Sequence, residues 1–339
     1  MKKFILLFSL FISTNSFGQV NIYAEDLNNF YQAFDSIRVS TDTLKQSYFL
    51  EKYYFERASE GMKKFMEFEK TAFNETSSQY LNSYLSYISK NSKHLTKIRP
   101  WALSAIDQKP IIDKMFLRYK SIYPQMTAGD VVFVIGKGQV GGRPLGKDLL
   151  IGTELLANEK PDWAVMMVLH EFTHTQQWIM RNAELIFSQK PMRLTQILAN
   201  ALWEGNADHV AEVVYGKTVE ENNPSSQYVF GKSHEKEIWE KFKEEMFTPL
   251  NSDQKQWFMQ QDKDFGGVKV KDIGYFMGHQ ICLKYYNNAK DKTKALAEMI
   301  NLNLDSDESA FKFLLDSGYP SKKEKILLQK RFAESKKKK

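Results

Sequence analysis

The run Trp163-Ala164-Val165-Met166-Met167-Val168-Leu169-His170-Glu171-Phe172-Thr173-His174 decides both the fold and the chemistry of this chain. Its first seven residues are apolar on every side, so a helix built from them is enclosed by protein rather than laid on a surface. Pro161 suits the first turn of that helix, and Asp162 suits the positive end of its dipole. At about 3.6 residues per turn, His170 and His174 stand one above the other, and both imidazoles can reach one metal ion. Glu171 then lies beside the ion, placed to deprotonate a bound water rather than to ligate, which is the division of labour in metal-assisted hydrolysis. With 6 His and 24 Glu in 339 residues, random order would give H-E-x-x-H in roughly one such chain per hundred. The apolar run raises those odds, because buried ionisable groups need partners.

A catalytic zinc site needs a third protein ligand and an open position for water. The best candidate is Glu204 in Leu202-Trp203-Glu204-Gly205-Asn206-Ala207-Asp208-His209. Glu204 and Asp208 are spaced i, i+4 on one helix face, so Glu204 can ligate while Asp208 accepts the outer N–H of a ligand histidine, expected to be His170. Asp208 and His209 are the alternatives to Glu204 as ligand. Hydrolysis also needs a donor for the developing oxyanion. Tyr275 is the first choice for it, with His279 and His234 behind. His279 reads equally well as a core histidine, and His94 and His234 read as surface residues.

H-E-x-x-H followed by E-x-x-x-D on a second helix resembles the gluzincin metallopeptidases, the thermolysin-like branch of the zincins. Carried over residue by residue, the resemblance implies one Zn2+ per chain held by His170, His174 and Glu204. It makes Glu171 the general base and Asp208 the carboxylate behind a ligand histidine. It also implies that Leu149-Leu150-Ile151-Gly152-Thr153-Glu154 is the edge strand that pairs with extended substrate. More narrowly, Gly152-x-Glu154, His170 to Gln176, Glu204-Gly205-x-Ala207-Asp208 and Gly274-Tyr275-Phe276-Met277-Gly278 resemble a family of zinc-dependent proteases of unknown function from bacterial envelopes. That likeness spans roughly residues 100 to 320. The 29 residues from 175 to 203 exceed the usual spacing in thermolysin-like enzymes, so Met180 to Ile197 is expected to form an added helix or loop over the site. Gln177 and Met180 stand where a metzincin would carry Gly and a third His, which excludes that branch.

Upstream, Ala24 to about Tyr123 alternates apolar and charged residues at helical spacing, with breaks expected at Ser40-Thr41, Asn74-Glu75-Thr76 and Asn91-Ser92. Val131 to Ile135 reads as a buried strand, and Leu149 to Leu156 as a second. Gly136 to Gly141 between them contains G-x-G-x-x-G. A dinucleotide site would need a helix starting inside the glycines, whereas Gly142, Pro144 and Gly146 lead on to a strand, so a glycine-rich loop is expected. Later helices are expected at about Thr195–Tyr215, Ser233–Phe247, Val270–Asn287, Lys292–Asn301, Asp307–Ser317 and Ser321–Ala333. The expected class is α+β, predominantly α-helical, zincin-like, with a small β-sheet before the buried active-site helix. Residues 19–125 form an N-terminal helical region, continuous with a metallopeptidase region at 126–335.

A content of 42% hydrophobic and 14% aromatic residues, with 47 Lys+Arg against 41 Asp+Glu, excludes collagen-like, disordered and low-complexity classes. Lys2 and Lys3 precede the apolar run Phe4 to Ile12 and end at Ser16-Phe17-Gly18, the pattern of a secretory signal peptide over residues 1–18. The apolar run is about half the length that spans a bilayer, and no Cys follows it to take a lipid. Removing those 18 residues, two of them Lys, from a 339-residue chain of net charge +6 leaves 321 residues at +4. That is not the concentrated basic footprint of a nucleic-acid binder, and Lys336 to Lys339 read as a frayed, solvated end. Cys282 reads as a small buried hydrophobe. An exported protein with no membrane span is expected, periplasmic or secreted, acting on peptide or protein substrate; oligomeric state is left open. The rival reading is a non-catalytic zinc-binding envelope or surface-assembly protein. The intact Glu171, His170 and His174 favour the enzyme, although ligands alone do not separate peptide hydrolysis from other zinc-dependent hydrolysis.

Overall fold

The computed structural model describes residues 20–177, 194, 196–249, 255–258 and 260–337. The expected signal peptide, nearly all of the insertion expected from Met180 to Ile197, and the last two lysines lie outside the described residues. Of the described residues, 67% are helical and a few form a small mixed sheet, an α+β class in which helix predominates. No described helix is long and apolar enough to cross a membrane.

The N-terminal part comprises a short strand β1 (Ile22–Tyr23) and helices α1 (Asp26–Arg38), α2 (Thr43–Leu50), α3 (Glu60–Ala72) and α4 (Ser77–Ile122). The 46 residues of α4 make a rod about 69 Å long at 1.5 Å per residue. Its start is fixed by a capping box in which Thr76 and Gln79 satisfy each other's backbone amides. The break expected at Asn91-Ser92 does not occur. The Asn91 amide instead donates to the Tyr87 carbonyl one turn back, a bond that leaves the helix intact. Buried residues from Tyr80 and Tyr84 through Ile88, Leu95 and Ile98 to Phe116 and Tyr119 recur at helical spacing and turn one stripe of α4 inward.

Strands β2 (Val131–Val134), β3 (Gly142–Leu145) and β4 (Asp148–Gly152) join β1 in a sheet of order β1-β2-β4-β3. β2 runs parallel to β1 and β4, with Val131 opposite Leu149 and Phe133 opposite Ile151. β3 runs antiparallel to β4, with Gly142 opposite Ile151. β2 and β4 are buried throughout, as strands covered on both faces must be.

Two expectations are corrected here. The second strand stops at Gly152, and Thr153–Leu156 form a single helical turn, α5. The Glu154 carboxylate turns back there to accept from the Gly138 amide. Nor is β4 the edge strand that the resemblance implied: it is paired on both sides, and the glycine-rich segment supplies the outer strand, β3.

The apolar run forms α6 (Trp163–Gln176), which starts two residues after Pro161. Asp162 stands at its N-cap without capping it, because its carboxylate is taken by Tyr215 and Lys217. Beyond it come α7 (Ile197–Tyr215), α8 (Val219–Asn222), α9 (Gln227–Glu245), α10 (Ile273–Asn288), α11 (Lys292–Ile300), α12 (Asp307–Ser317) and α13 (Lys322–Lys336). α9 begins six residues before its expected start and is kinked at His234. An unexpected hairpin, β5 (Asp262–Phe265) and β6 (Val268–Lys271), occupies the start of the helix expected from Val270. Gly266 and Gly267, at φ +64° and +95°, make its two-residue turn. Lys336, far from frayed, bridges to Asp307 and Glu308.

Among the described residues, the buried apolar side chains fall into two clusters. One joins α1 to α4, the sheet and α6; the other joins α7 to α9, α10, α12 and α13. α7 borders both, since Val210, Ala211 and Val214 belong to the first cluster and Ile197 to Trp203 to the second.

Candidate metal centre

α6 presents His170 and His174 toward α7, which presents Glu204 back. The height of Glu204 is set by how closely α7 crosses α10. A Cβ on Gly205 would come within 2.0 Å of the His279 amide nitrogen, and one on Gly278 within 1.7 Å of the Ala201 carbonyl oxygen. The two backbones touch there, which only paired glycines allow.

Three donor atoms converge in the space so formed. Nε2 of His170 lies 3.2 Å from Nε2 of His174. Oε2 of Glu204 lies 3.4 Å from the first and 3.3 Å from the second. A zinc ion about 2.0–2.1 Å from each ligand at tetrahedral angles holds ligand atoms about 3.3–3.4 Å apart. The triangle therefore already has the size that such an ion requires.

The outer nitrogens say which way the inner ones face. Nδ1 of His170 is 2.7 Å from Oδ1 of Asp208, whose other oxygen accepts from the Tyr228 hydroxyl. Nδ1 of His174 is 2.7 Å from Oε1 of Gln177. The orientation of that amide is fixed, because its Nε2 donates to the Trp203 carbonyl at 2.8 Å. Both Nδ1 atoms thus donate to oxygen acceptors, and both Nε2 atoms turn lone pairs into the triangle. They meet there a buried Glu204 oxygen with no hydrogen-bond partner among the described residues. Three electron-pair donors in mutual contact repel one another unless a cation lies among them, so the donor set fits a divalent metal.

The local field agrees. When the triangle holds protons in place of a cation, burial opposes ionisation of Glu204, yet the charged imidazoles, donating to it in that state, outweigh burial and hold the carboxyl down at about 2. Burial opposes a charge on His170 as well, but the Asp208 carboxylate and its hydrogen bond hold the imidazole well above its usual value. Ionised carboxylates that draw positive charge onto neighbouring imidazoles in this way favour any cation placed among them. Burial pushes Glu171 up against the pull of both histidines, in the direction that suits a general base.

Ring planes are fixed by stacking: His174 lies on Trp203 at 4.5 Å, and His170 lies near-parallel to Tyr275 at 6.2 Å. Of the three candidate oxyanion donors, only Tyr275 is brought to the centre. His234 stacks on Phe230. His279 pairs with Glu212 at 2.7 Å. The alternative ligands also fall away: Asp208 stands behind His170, and His209 joins His279 and Glu212 in a separate cluster. His94 is exposed and reaches the Glu154 carbonyl. Cys282 is buried, which pushes its thiol up.

Three contributors escaped the sequence. Gln177 was legible in principle, one helical turn past His174. Tyr228 has no local signal, being 20 residues from the Asp208 it contacts. Gly142 of β3 faces Glu171 across the space between sheet and helix.

No family model, curated protein or solved structure matches this chain. What fold and site define is a predominantly helical α+β protein carrying a buried His170–His174–Glu204 group able to hold a metal ion.

Proposed function

We propose that the protein is an exported zinc metallopeptidase, with one zinc ion held by His170, His174 and Glu204. The observation that carries this reading is the triangle of 3.2, 3.3 and 3.4 Å between donors whose outer nitrogens are both engaged by oxygen acceptors. Bound there, zinc supplies Lewis acidity toward a carbonyl oxygen and lowers the pKa of a water toward neutrality. Glu171, next in sequence to His170, takes a proton from the attacking water and returns it to the leaving amine. Tyr275, stacked beside His170, donates a hydrogen bond from its hydroxyl to the developing oxyanion. An extended peptide adds to β3, the outer strand of the sheet order, whose Gly142 lies against Glu171. Export is inferred from the N-terminal sequence.

Elemental analysis of the purified mature chain, beside Glu171→Gln assayed on a peptide library, tests the proposal. Zinc retained and cleavage lost in that variant is expected. A Glu171→Gln protein that cleaves at the wild-type rate would sink the assignment.

A further inference from the structure

Over the helical turn that follows Asp208, α7 carries two members of a second group of metal-binding side chains. His209 and Glu212 project from α7 toward His279 of α10, and one donor atom from each lies within 4.8 Å of the others. Nε2 of His279 is 2.7 Å from Oε2 of Glu212, and Nδ1 of His209 is 3.9 Å from the same oxygen. His209 is 2% exposed, and neither of its ring nitrogens has a hydrogen-bond partner among the described residues. A buried imidazole with both nitrogens idle is costly and calls for a ligand.

We propose that His209, Glu212 and His279 bind a second divalent transition-metal cation, of the zinc class, which ties α7 to α10. Two imidazoles and one carboxylate suit zinc, cobalt or nickel, whereas calcium and magnesium want an all-oxygen shell. The surroundings hold the ligands in place. Oε1 of Glu212 accepts from the Val219 amide at 2.7 Å, which leaves Oε2 for the cation. Nδ1 of His279 is 3.3 Å from the Gln280 side-chain amide, which by turning over can accept from Nδ1–H. The Lys292 ammonium is committed to the carbonyls of Tyr286 and Asn287.

The cation replaces the proton shared by His279 and Glu212. It also draws His209 inward, since the 4.8 Å limit exceeds the roughly 3.4 Å between ligands on tetrahedral zinc. The two sites lie back to back. Tyr228 donates to Asp208, which orients His170, while its ring stands edge-on to His279 at 5.2 Å. Fixing α7 against α10 at this point fixes the Gly205–Gly278 crossing that sets Glu204, so the second cation acts by positioning.

The test uses the full mature chain carrying His170→Ala and His174→Ala, which removes the first site and leaves the second intact. Dialysed against zinc and then against buffer, it should retain one zinc per chain, with a Tm several degrees above the zinc-stripped protein. His209→Ala in that background should abolish both. Wild type should hold two zinc ions, or one if the peptidase site is empty, so failure of that earlier reading shows separately. A double variant that is folded by circular dichroism yet holds no zinc overturns the proposal, as does zinc retained after His209→Ala.

Discussion

Gly142 and Glu171 are packed so closely that a Cβ on the glycine would fall 1.9 Å from the Glu171 carboxyl carbon. The outer strand of the sheet therefore leaves an opening for the proposed base. Gly142→Ala would push the carboxylate out of place without touching a ligand. Misplacement by about 1 Å costs on the order of 100-fold in rate, so peptide cleavage should fall by roughly that factor while zinc content stays at the wild-type value. Equal loss of zinc and activity would mean that Gly142 shapes the metal site as a whole.

Asp208 is held between Tyr228, which donates to one of its oxygens, and His170, which engages the other at 2.7 Å. Carboxylates in that role raise the basicity of the histidine and fix its tautomer, and removing one costs about 10–100-fold in metal affinity. Asp208→Ala should therefore weaken zinc binding by that range in competition with a chromophoric chelator. Tyr228→Phe, which keeps the ring and loses only the hydroxyl, should produce a smaller loss in the same direction. Unchanged affinity in both would remove Asp208 from the site.

The crossing of α7 and α10 leaves no room for a side chain at Gly278, where a Cβ would meet the Ala201 carbonyl at 1.7 Å. Backbone cannot yield as a flexible side chain can. Gly278→Ala should destabilise the fold by about 1–3 kcal/mol or more, the usual range for overpacking, read as a lower Tm. It should also lower zinc affinity, because the helix that carries Glu204 must retreat. A stable variant with full zinc affinity would show that the crossing does not set the site.

How much of this was legible in the sequence follows from how local each determinant is. His170, Glu171 and His174 lie within one helical turn, so periodicity alone brought them together, and Glu204 and Asp208 followed from i, i+4 spacing on one further helix. Asn91 misleads because a residue that commonly ends helices can also bond back to a carbonyl one turn earlier. The boundary at Gly152 and the edge role of β3 were hidden because pairing partners, not residue types, decide which strand is outermost. Gly266-Gly267 between alternating residues was a readable hairpin signal that the polar content of Asp262 to Lys271 obscured. Tyr228 meets Asp208, and His279 meets Glu212, only through helix packing across tens of residues, for which one sequence carries no local mark.

Away from the metal centre, Glu154 and Glu69 are buried carboxyls that burial pushes up to about 7. Unfolded glutamate titrates near 4.3. Between those two values the folded chain binds more protons than the unfolded one, so their effect is to lower stability as pH rises through that window, with the loss complete above about 7. Glu154→Gln keeps a carbonyl oxygen for the Gly138 amide and removes the titration. Its Tm relative to wild type should rise between pH 5 and pH 8, a relative gain of roughly 1–3 kcal/mol at the higher pH. Glu69 remains, so some pH dependence should persist in the variant. The same Tm difference at both pH values would mean that Glu154 is ionised in the fold throughout, with the Gly138 amide outweighing the cost of its burial.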